Sequence, residues 1–232
     1  MEEEPDKKIR LLADYIMTIG PRPFSANFDR ARRKYPDVDA RAGAQLVREL
    51  NCAGCHRLSG VPAARKIAPV LSNAGSKFRR DWLVSFIRKP YTLRPAGYVL
   101  SWRSRMPGFR LTEKESSAIA DYLMSLTTLD LAGNFRDEGR MSRRQRYRGR
   151  KMFKKIYGCV GCHRIKGRRG KIEGGLSGPD LSGAGDRLQP AFIYQFIRDP
   201  RAFEPEGKMP VFGHYLPEKD ARFLTRYLLR MP

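Results

Sequence analysis

Five residues, Cys52-Ala53-Gly54-Cys55-His56, return 107 positions later as Cys159-Val160-Gly161-Cys162-His163. No other feature of the chain constrains its folding as strongly. A Cys-x-x-Cys-His run is the attachment site of a c-type haem. Two thiols bond to the two vinyl groups of one porphyrin, and the short spacing matches the separation of those vinyls. The adjacent histidine then turns its imidazole to the iron. The competing readings are a redox dithiol or a zinc site, including one built from all four cysteines. Neither requires a histidine directly after the second cysteine. All four cysteines and two of the three histidines of the chain lie within the two motifs.

The surroundings of the motifs repeat as well. At the same offset Asn27-Phe28 falls on Asn134-Phe135, and Tyr15-Ile16 on Tyr122-Leu123. After the motif the offset becomes 110, so that Pro69-Val70-Leu71-Ser72-Asn73-Ala74-Gly75 falls on Pro179-Asp180-Leu181-Ser182-Gly183-Ala184-Gly185. Phe86-Ile87-Arg88-Lys89-Pro90 then falls on Phe196-Ile197-Arg198-Asp199-Pro200, and Met106-Pro107-Gly108-Phe109 on Met209-Pro210-Val211-Phe212. Self-similarity of this kind implies two copies of one structural unit. The second copy carries three extra residues after its motif, and the first carries seven extra before its methionine.

A partial third copy stands at the N-terminus, where Asp6, Lys7, Leu12, Tyr15 and Ile16 follow the pattern of Glu113 to Leu123 and of Glu218 to Leu228. These three stretches read as amphipathic helices, with apolar residues at helical spacing. Thr112 with Glu115 forms a capping box, and Pro5 and Pro217 sit at first turns. The expected division is residues 1–26 as helix and linker, 27–133 as the first domain and 134–232 as the second.

Between those helices the pattern is again helical. Ala42 to Leu50 and Lys151 to Tyr157 lead into the motifs, and Asp81 to Ile87 and Pro190 to Ile197 follow them, each stopping before a proline that cannot continue a helix. No stretch shows sustained strand alternation, so the class is all-α. The run from Arg136 through Arg140, Arg143, Arg144, Arg146, Arg148 and Arg150 to Lys151 reads as a solvated or disordered segment, or one lying across an acidic partner.

An electron-transfer haem needs a second axial ligand. Met106 and Met209 are the candidates, 50 and 46 residues after their histidines and each in Met-Pro-x-Phe. Thioether sulfur favours reduced iron relative to a second imidazole. Methionine as core filler is the alternative, and His214 is the histidine that competes with Met209. Pro69 and Pro179 are expected to present a backbone carbonyl to the free N–H of His56 and His163, fixing each ring and tuning its basicity. Trp82, Tyr98, Trp102 and Phe109 are expected around the first haem, and Phe192, Phe212 and Tyr215 around the second, with plain core as the alternative.

Net charge is +22. Such a surface steers encounter with acidic redox proteins, or with an anionic membrane. Nucleic acid is the common partner of so basic a chain, but no nucleic-acid-binding signature is present. No apolar run is long enough to span a bilayer. The start at Met1 does not look like a signal peptide, whereas haem is attached outside the bacterial cytoplasm. A periplasmic location is therefore expected, with the chain a mature form or a segment of a longer polypeptide.

Across residues 40–232 the chain resembles the class I cytochrome c family in tandem di-haem form. The resemblance rests on Cys-x-x-Cys-His, then Gly178-Pro179-Asp180-Leu181-Ser182-Gly183-Ala184-Gly185, then Met-Pro-x-Phe, then a closing helix with Tyr122 or Tyr227. It implies a compact helical fold around each haem, with one porphyrin edge exposed. The first copy departs from it in Ala68-Pro69-Val70 and in the insertion from Tyr91 to Arg105. The partial repeat suggests kinship with a multi-domain cytochrome or a membrane subunit of a respiratory complex. The implied function is an electron carrier with two haems c, each His/Met ligated. The alternatives are a di-haem peroxidase, a sulfur-compound-oxidising enzyme, or a haem-wiring subunit. An enzyme would need an exchangeable axial position, which two methionine ligands oppose.

Overall fold

In the computed structural model, residues 39–61, 68–93, 106–127, 131, 135–167 and 170–231 are described. The N-terminal helix and partial third repeat, the Asn27-Phe28 and Asn134 matches, Tyr98, Trp102 and most of the insertion before Met106 lie outside them. Eight α-helices are present among the described residues. In the first repeat these are α1 (Ala40–Glu49), α2 (Ala74–Lys77), α3 (Arg80–Arg88) and α4 (Glu113–Ser125). In the second they are α5 (Arg143–Lys151), α6 (Ala184–Arg187), α7 (Pro190–Arg198) and α8 (Glu218–Leu228). The fold is all-α.

Several helix starts have a local chemical cause. Asp39 accepts from the backbone N–H of Arg41 and Ala42 at the head of α1. Thr112 and Glu115 complete the capping box of α4. Ser142 and Gln145 form a second box at α5. Such reciprocal caps satisfy N–H groups that a helix leaves unpaired at its start. Pro217 stands at the N-cap of α8, one position earlier than its expected place in the first turn.

The basic run is solvated, as one of its readings expects, and part of it is helical. Residues 143–151 are helical, and Met152–Ile156 continue them as a π-helical turn. The physical reason lies in one face of α5. Gly149 packs so close to Tyr227 that an added Cβ would stand 2.6 Å from the ring. In the first repeat Gly43 packs against α4, where a Cβ would stand 1.9 Å from the Ala118 carbonyl oxygen. Both lead helices therefore cross a closing helix at a glycine. Gly43 is nine residues before Cys52, but Gly149 is ten before Cys159. The π turn takes up that extra residue, as single-turn π-bulges do.

Two apolar cores result. The first gathers Leu46, Val47, Leu58, Leu71, Phe78, Leu83, Ile87, Ile119 and Leu123. The second gathers Met152, Phe153, Ile165, Ile193, Leu216, Leu224, Tyr227 and Leu228. A two-stranded antiparallel hairpin, β1 (Arg164–Lys166) with β2 (Ile172–Gly174), occupies the stretch where the second copy is longer. Its strands are too short to leave an alternation in the sequence. Glu173 of this hairpin accepts from Arg150 at 2.7 Å and from Lys154, tying it to the lead helix.

The repeats meet through equivalent segments. Phe78 and Leu188 form an isolated antiparallel bridge. Arg79 N–H donates to the Arg187 carbonyl at 2.8 Å, and Gln189 N–H to the Lys77 carbonyl at 2.9 Å.

Candidate functional site: two Cys-x-x-Cys-His turns

Each motif is wound as a short 3₁₀ turn, Cys52–Gly54 and Cys159–Gly161. The residue before it has a left-handed backbone, Asn51 at φ 51° and Gly158 at φ 62°. Asparagine and glycine are the residues that tolerate this region best. The chain thereby leaves the lead helix abruptly and presents both cysteines on one turn. The histidine N–H closes the turn on the first cysteine, His56 to Cys52 O and His163 to Cys159 O, both at 2.9 Å.

The following loop then folds back over the motif in the same way twice. Ala68 N–H donates to Cys55 O at 3.2 Å and Leu71 N–H to Arg57 O at 2.9 Å. In the second repeat Gly178 donates to Cys162 O at 2.8 Å and Leu181 to Arg164 O at 2.9 Å. This return brings the prolines to the histidines. Pro69 O stands 2.7 Å from His56 Nδ1, and Pro179 O stands 2.9 Å from His163 Nδ1. A carbonyl only accepts, so Nδ1 carries the proton and Nε2 keeps its lone pair. Such a bond fixes a ligating ring and raises its basicity.

Burial also matters. It holds His56 below the usual imidazole range and so keeps the ring neutral, a tendency the bond to Pro69 opposes. It pushes the Cys52 and Cys159 thiols up to about 11. Reactive dithiols have the opposite shift, toward thiolate. The four cysteines are not joined in disulfides. Cys52 packs on the first core and Cys159 on the second. Among the described residues no group of three or more His, Cys, Asp or Glu side chains is placed to hold a metal ion. The four-cysteine zinc site therefore does not form.

In the second repeat an apolar cleft opens beside the motif. Cys159, His163 and Met209 share its wall with Phe153, Tyr157, Leu181, Ile197, Phe212, Leu216, Leu224 and Leu228. Tyr157 is fixed there by its hydroxyl, which donates to Asp220 at 2.6 Å. The donors suit a haem: an imidazole held at Nδ1 by Pro179, a thioether and a thiol, all on one apolar wall. His214 is exposed and does not line the cleft.

Some expected walls are elsewhere. Phe212 lines the cleft, but Tyr215 is 81% exposed. Phe192 is buried against Phe196 and Phe203, under the Lys77 ammonium. Those three aromatics pack on one another beside the first repeat's Lys77. In the first repeat Met106 and Phe109 pack against the core that also holds Cys52. Trp82 stacks between Phe78 and Phe86, and its indole N–H donates to the Tyr91 hydroxyl at 3.0 Å.

A helical unit that winds a Cys-x-x-Cys-His run beside a half-buried, carbonyl-bonded imidazole and brings a methionine to the same core defines a c-type cytochrome domain. Residues 40–127 match the family model described as cytochrome c, and residues 145–228 match that described as cytochrome c oxidase, cbb3-type, subunit III. The chain is built of tandem class I cytochrome c domains. Domains of this class bind haem c covalently for electron transfer and are typically extracytoplasmic, and the two motifs fit two haems. No curated protein and no solved structure compared with the chain matches it. No helix among the described residues is long and apolar enough to cross a membrane.

Proposed function

We propose that this chain transfers electrons between redox partners in a respiratory or photosynthetic chain, from the periplasm or the outer face of the membrane. Each haem c, when bound, supplies a one-electron ferric/ferrous couple. The protein's part is to hold and insulate it. Cys52 and Cys55, and Cys159 and Cys162, would anchor the two macrocycles. His56 with Met106, and His163 with Met209, would be the axial pairs. Pro69 and Pro179 would keep the imidazoles in place, and the apolar wall of Phe153, Phe212 and Leu224 would exclude water. With both residues of each pair bound, the iron would keep no vacancy for substrate, which supports a carrier.

The observation that carries the reading is the convergence of His163 and Met209 on one apolar cleft, with the outer nitrogen of the histidine already bonded to Pro179. The test is the spectrum of the oxidised protein. Methionine-to-iron charge transfer from both haems supports the reading. A high-spin haem supports the peroxidase or sulfur-compound-oxidising alternative instead.

Acidic redox proteins are the proposed partners. Helix α5 presents Arg143, Arg144, Arg146, Arg148 and Lys151 to solvent. An anionic membrane surface would use the same charge, and nucleic acid is not proposed. A second reading is a haem-wiring subunit of a larger membrane complex. It is favoured by the description of the second family match, which names an oxidase subunit.

A further inference from the structure

The amide that joins Pro69 to Val70 is hydrogen-bonded at both ends. Its carbonyl accepts from His56 Nδ1–H at 2.7 Å. Its N–H, on Val70, donates to Glu204, 3.3 Å from each carboxylate oxygen. Glu204 belongs to the second repeat, 134 residues away in the chain. The same carboxylate accepts from Lys77 Nζ at 2.8 Å, and the two side chains are only 22% and 13% exposed. One continuous chain of bonds thus runs from the His56 ring, through a single peptide group, to an anion of the other domain.

The second repeat has the same arrangement with a different end. Pro179 O accepts from His163 at 2.9 Å. The N–H of the same amide, on Asp180, donates across the interface to the Leu93 carbonyl at 2.6 Å. Both proline amides are therefore held by the opposite repeat. One ends on a charged carboxylate and the other on a neutral carbonyl.

That difference has a direction. Hydrogen bonds in series polarise one another, and bonds to an ionised acceptor are roughly twice as strong as neutral ones. A carboxylate drawing on Val70 N–H makes the Pro69 oxygen more negative. That oxygen then pulls harder on the Nδ1 proton, and Nε2 becomes the more basic ligand. A more basic axial ligand stabilises ferric over ferrous iron. Lys77, whose ammonium donates to the same carboxylate, opposes the effect.

We propose that Glu204 is a positioning residue acting across the domain interface: through the Pro69–Val70 amide it raises the basicity of His56 and lowers the reduction potential of the haem on Cys52 and Cys55. The proposal rests on the electron-transfer reading above, with His56 as an iron ligand.

The test is a potentiometric titration of the full holoprotein with the two haems resolved, together with proton NMR of the ferric form to follow the ring N–H of each histidine. Glu204→Gln keeps the shape and an acceptor oxygen but removes the charge. It is expected to raise the potential of the first haem, shifting its oxidised-to-reduced ratio about threefold, where tenfold is about 59 mV for one electron. The second haem stays within error, and only the His56 N–H resonance moves. Glu204→Asp keeps the charge but withdraws it from Val70, and is expected to raise the same potential. Lys77→Gln, which carries the test should the Glu204 variants not accumulate, is expected to lower it. An unchanged first haem in Glu204→Gln, or a wild-type potential in Glu204→Asp, overturns the proposal and leaves the electron-transfer reading intact. A protein that holds no haem at Cys52 and Cys55 overturns that reading instead.

Discussion

Phe78 and Leu188, which occupy the same position in the two repeats, face each other as the two partners of one antiparallel bridge. The hydrogen bonds on either side, Arg79 to Arg187 and Gln189 to Lys77, are exchanged when one repeat is put in place of the other. The junction is thus self-complementary, as between subunits of a two-fold dimer. Around it the charges are not equivalent. Arg57 pairs with Glu206 at 2.9 Å and Lys77 with Glu204, both acids coming from the second repeat.

The bridge should couple the stabilities of the two domains. Phe78 is part of the first core, and Leu188 packs against both cores. Phe78→Ala is expected to cost about 3 kcal/mol and Leu188→Ala about 2 kcal/mol. The double variant should fall short of the sum by roughly 0.5–1 kcal/mol, because the side chains share one contact. Urea unfolding of the four proteins measures this, and strict additivity would contradict it.

The glycine crossings should tolerate no side chain. Gly43→Ala places a methyl 1.9 Å from a backbone oxygen of α4, and Gly149→Ala places one 2.6 Å from the Tyr227 ring. Overpacking of this kind costs about 1–3 kcal/mol. Gly43→Ala should be the worse, since a backbone helix must move in one case and a ring in the other. Thermal unfolding of both variants decides the order.

Sequence and structure part company in instructive places. The motifs, the Thr112 cap and the proline stops were legible because their chemistry is local. The helix over 143–151 was not, since its charge pattern describes only the solvent side. The Ser142-x-x-Gln145 box was the signal that would have found it. The left-handed residues Asn51 and Gly158 have a signature too, an Asn or Gly directly before the first cysteine of each motif. Phe192 reads from the sequence as either haem wall or plain core, and the structure makes it core. Its real partners, Phe203 and Lys77, come from a later turn and from the other repeat. The Phe78–Leu188 bridge and the Glu204 contact join distant backbone groups, which no spacing in the sequence encodes.

Removing the proposed thioether ligand should separate Met209 from its competitor. Met209→Ala is expected to abolish the methionine charge-transfer band of the second haem and lower its potential, since thioether favours reduced iron. His214→Ala should leave both signals as they were, because His214 is exposed and away from the cleft. Visible and near-infrared spectra of the two variants make the comparison.

Partner association should depend steeply on salt. With a net charge of +22, encounter with an acidic redox protein is accelerated at low ionic strength and screened as the Debye length shrinks to about 8 Å near 0.15 M. Replacing Arg143, Arg144, Arg146 and Arg148 of α5 by glutamine should slow association about tenfold at low salt, with little change at high salt. Stopped-flow association over a salt series checks it, and equal slopes for both proteins would move the docking surface off α5.

The haem content of the purified chain bears most directly on the whole reading. After extraction with acidified acetone, which strips non-covalent haem, the pyridine haemochrome spectrum and intact mass should give two haems c per polypeptide. Loss of one under Cys52→Ala/Cys55→Ala and of the other under Cys159→Ala/Cys162→Ala should follow. A chain that retains no porphyrin after extraction, though matured where haem c is attached, would contradict the account.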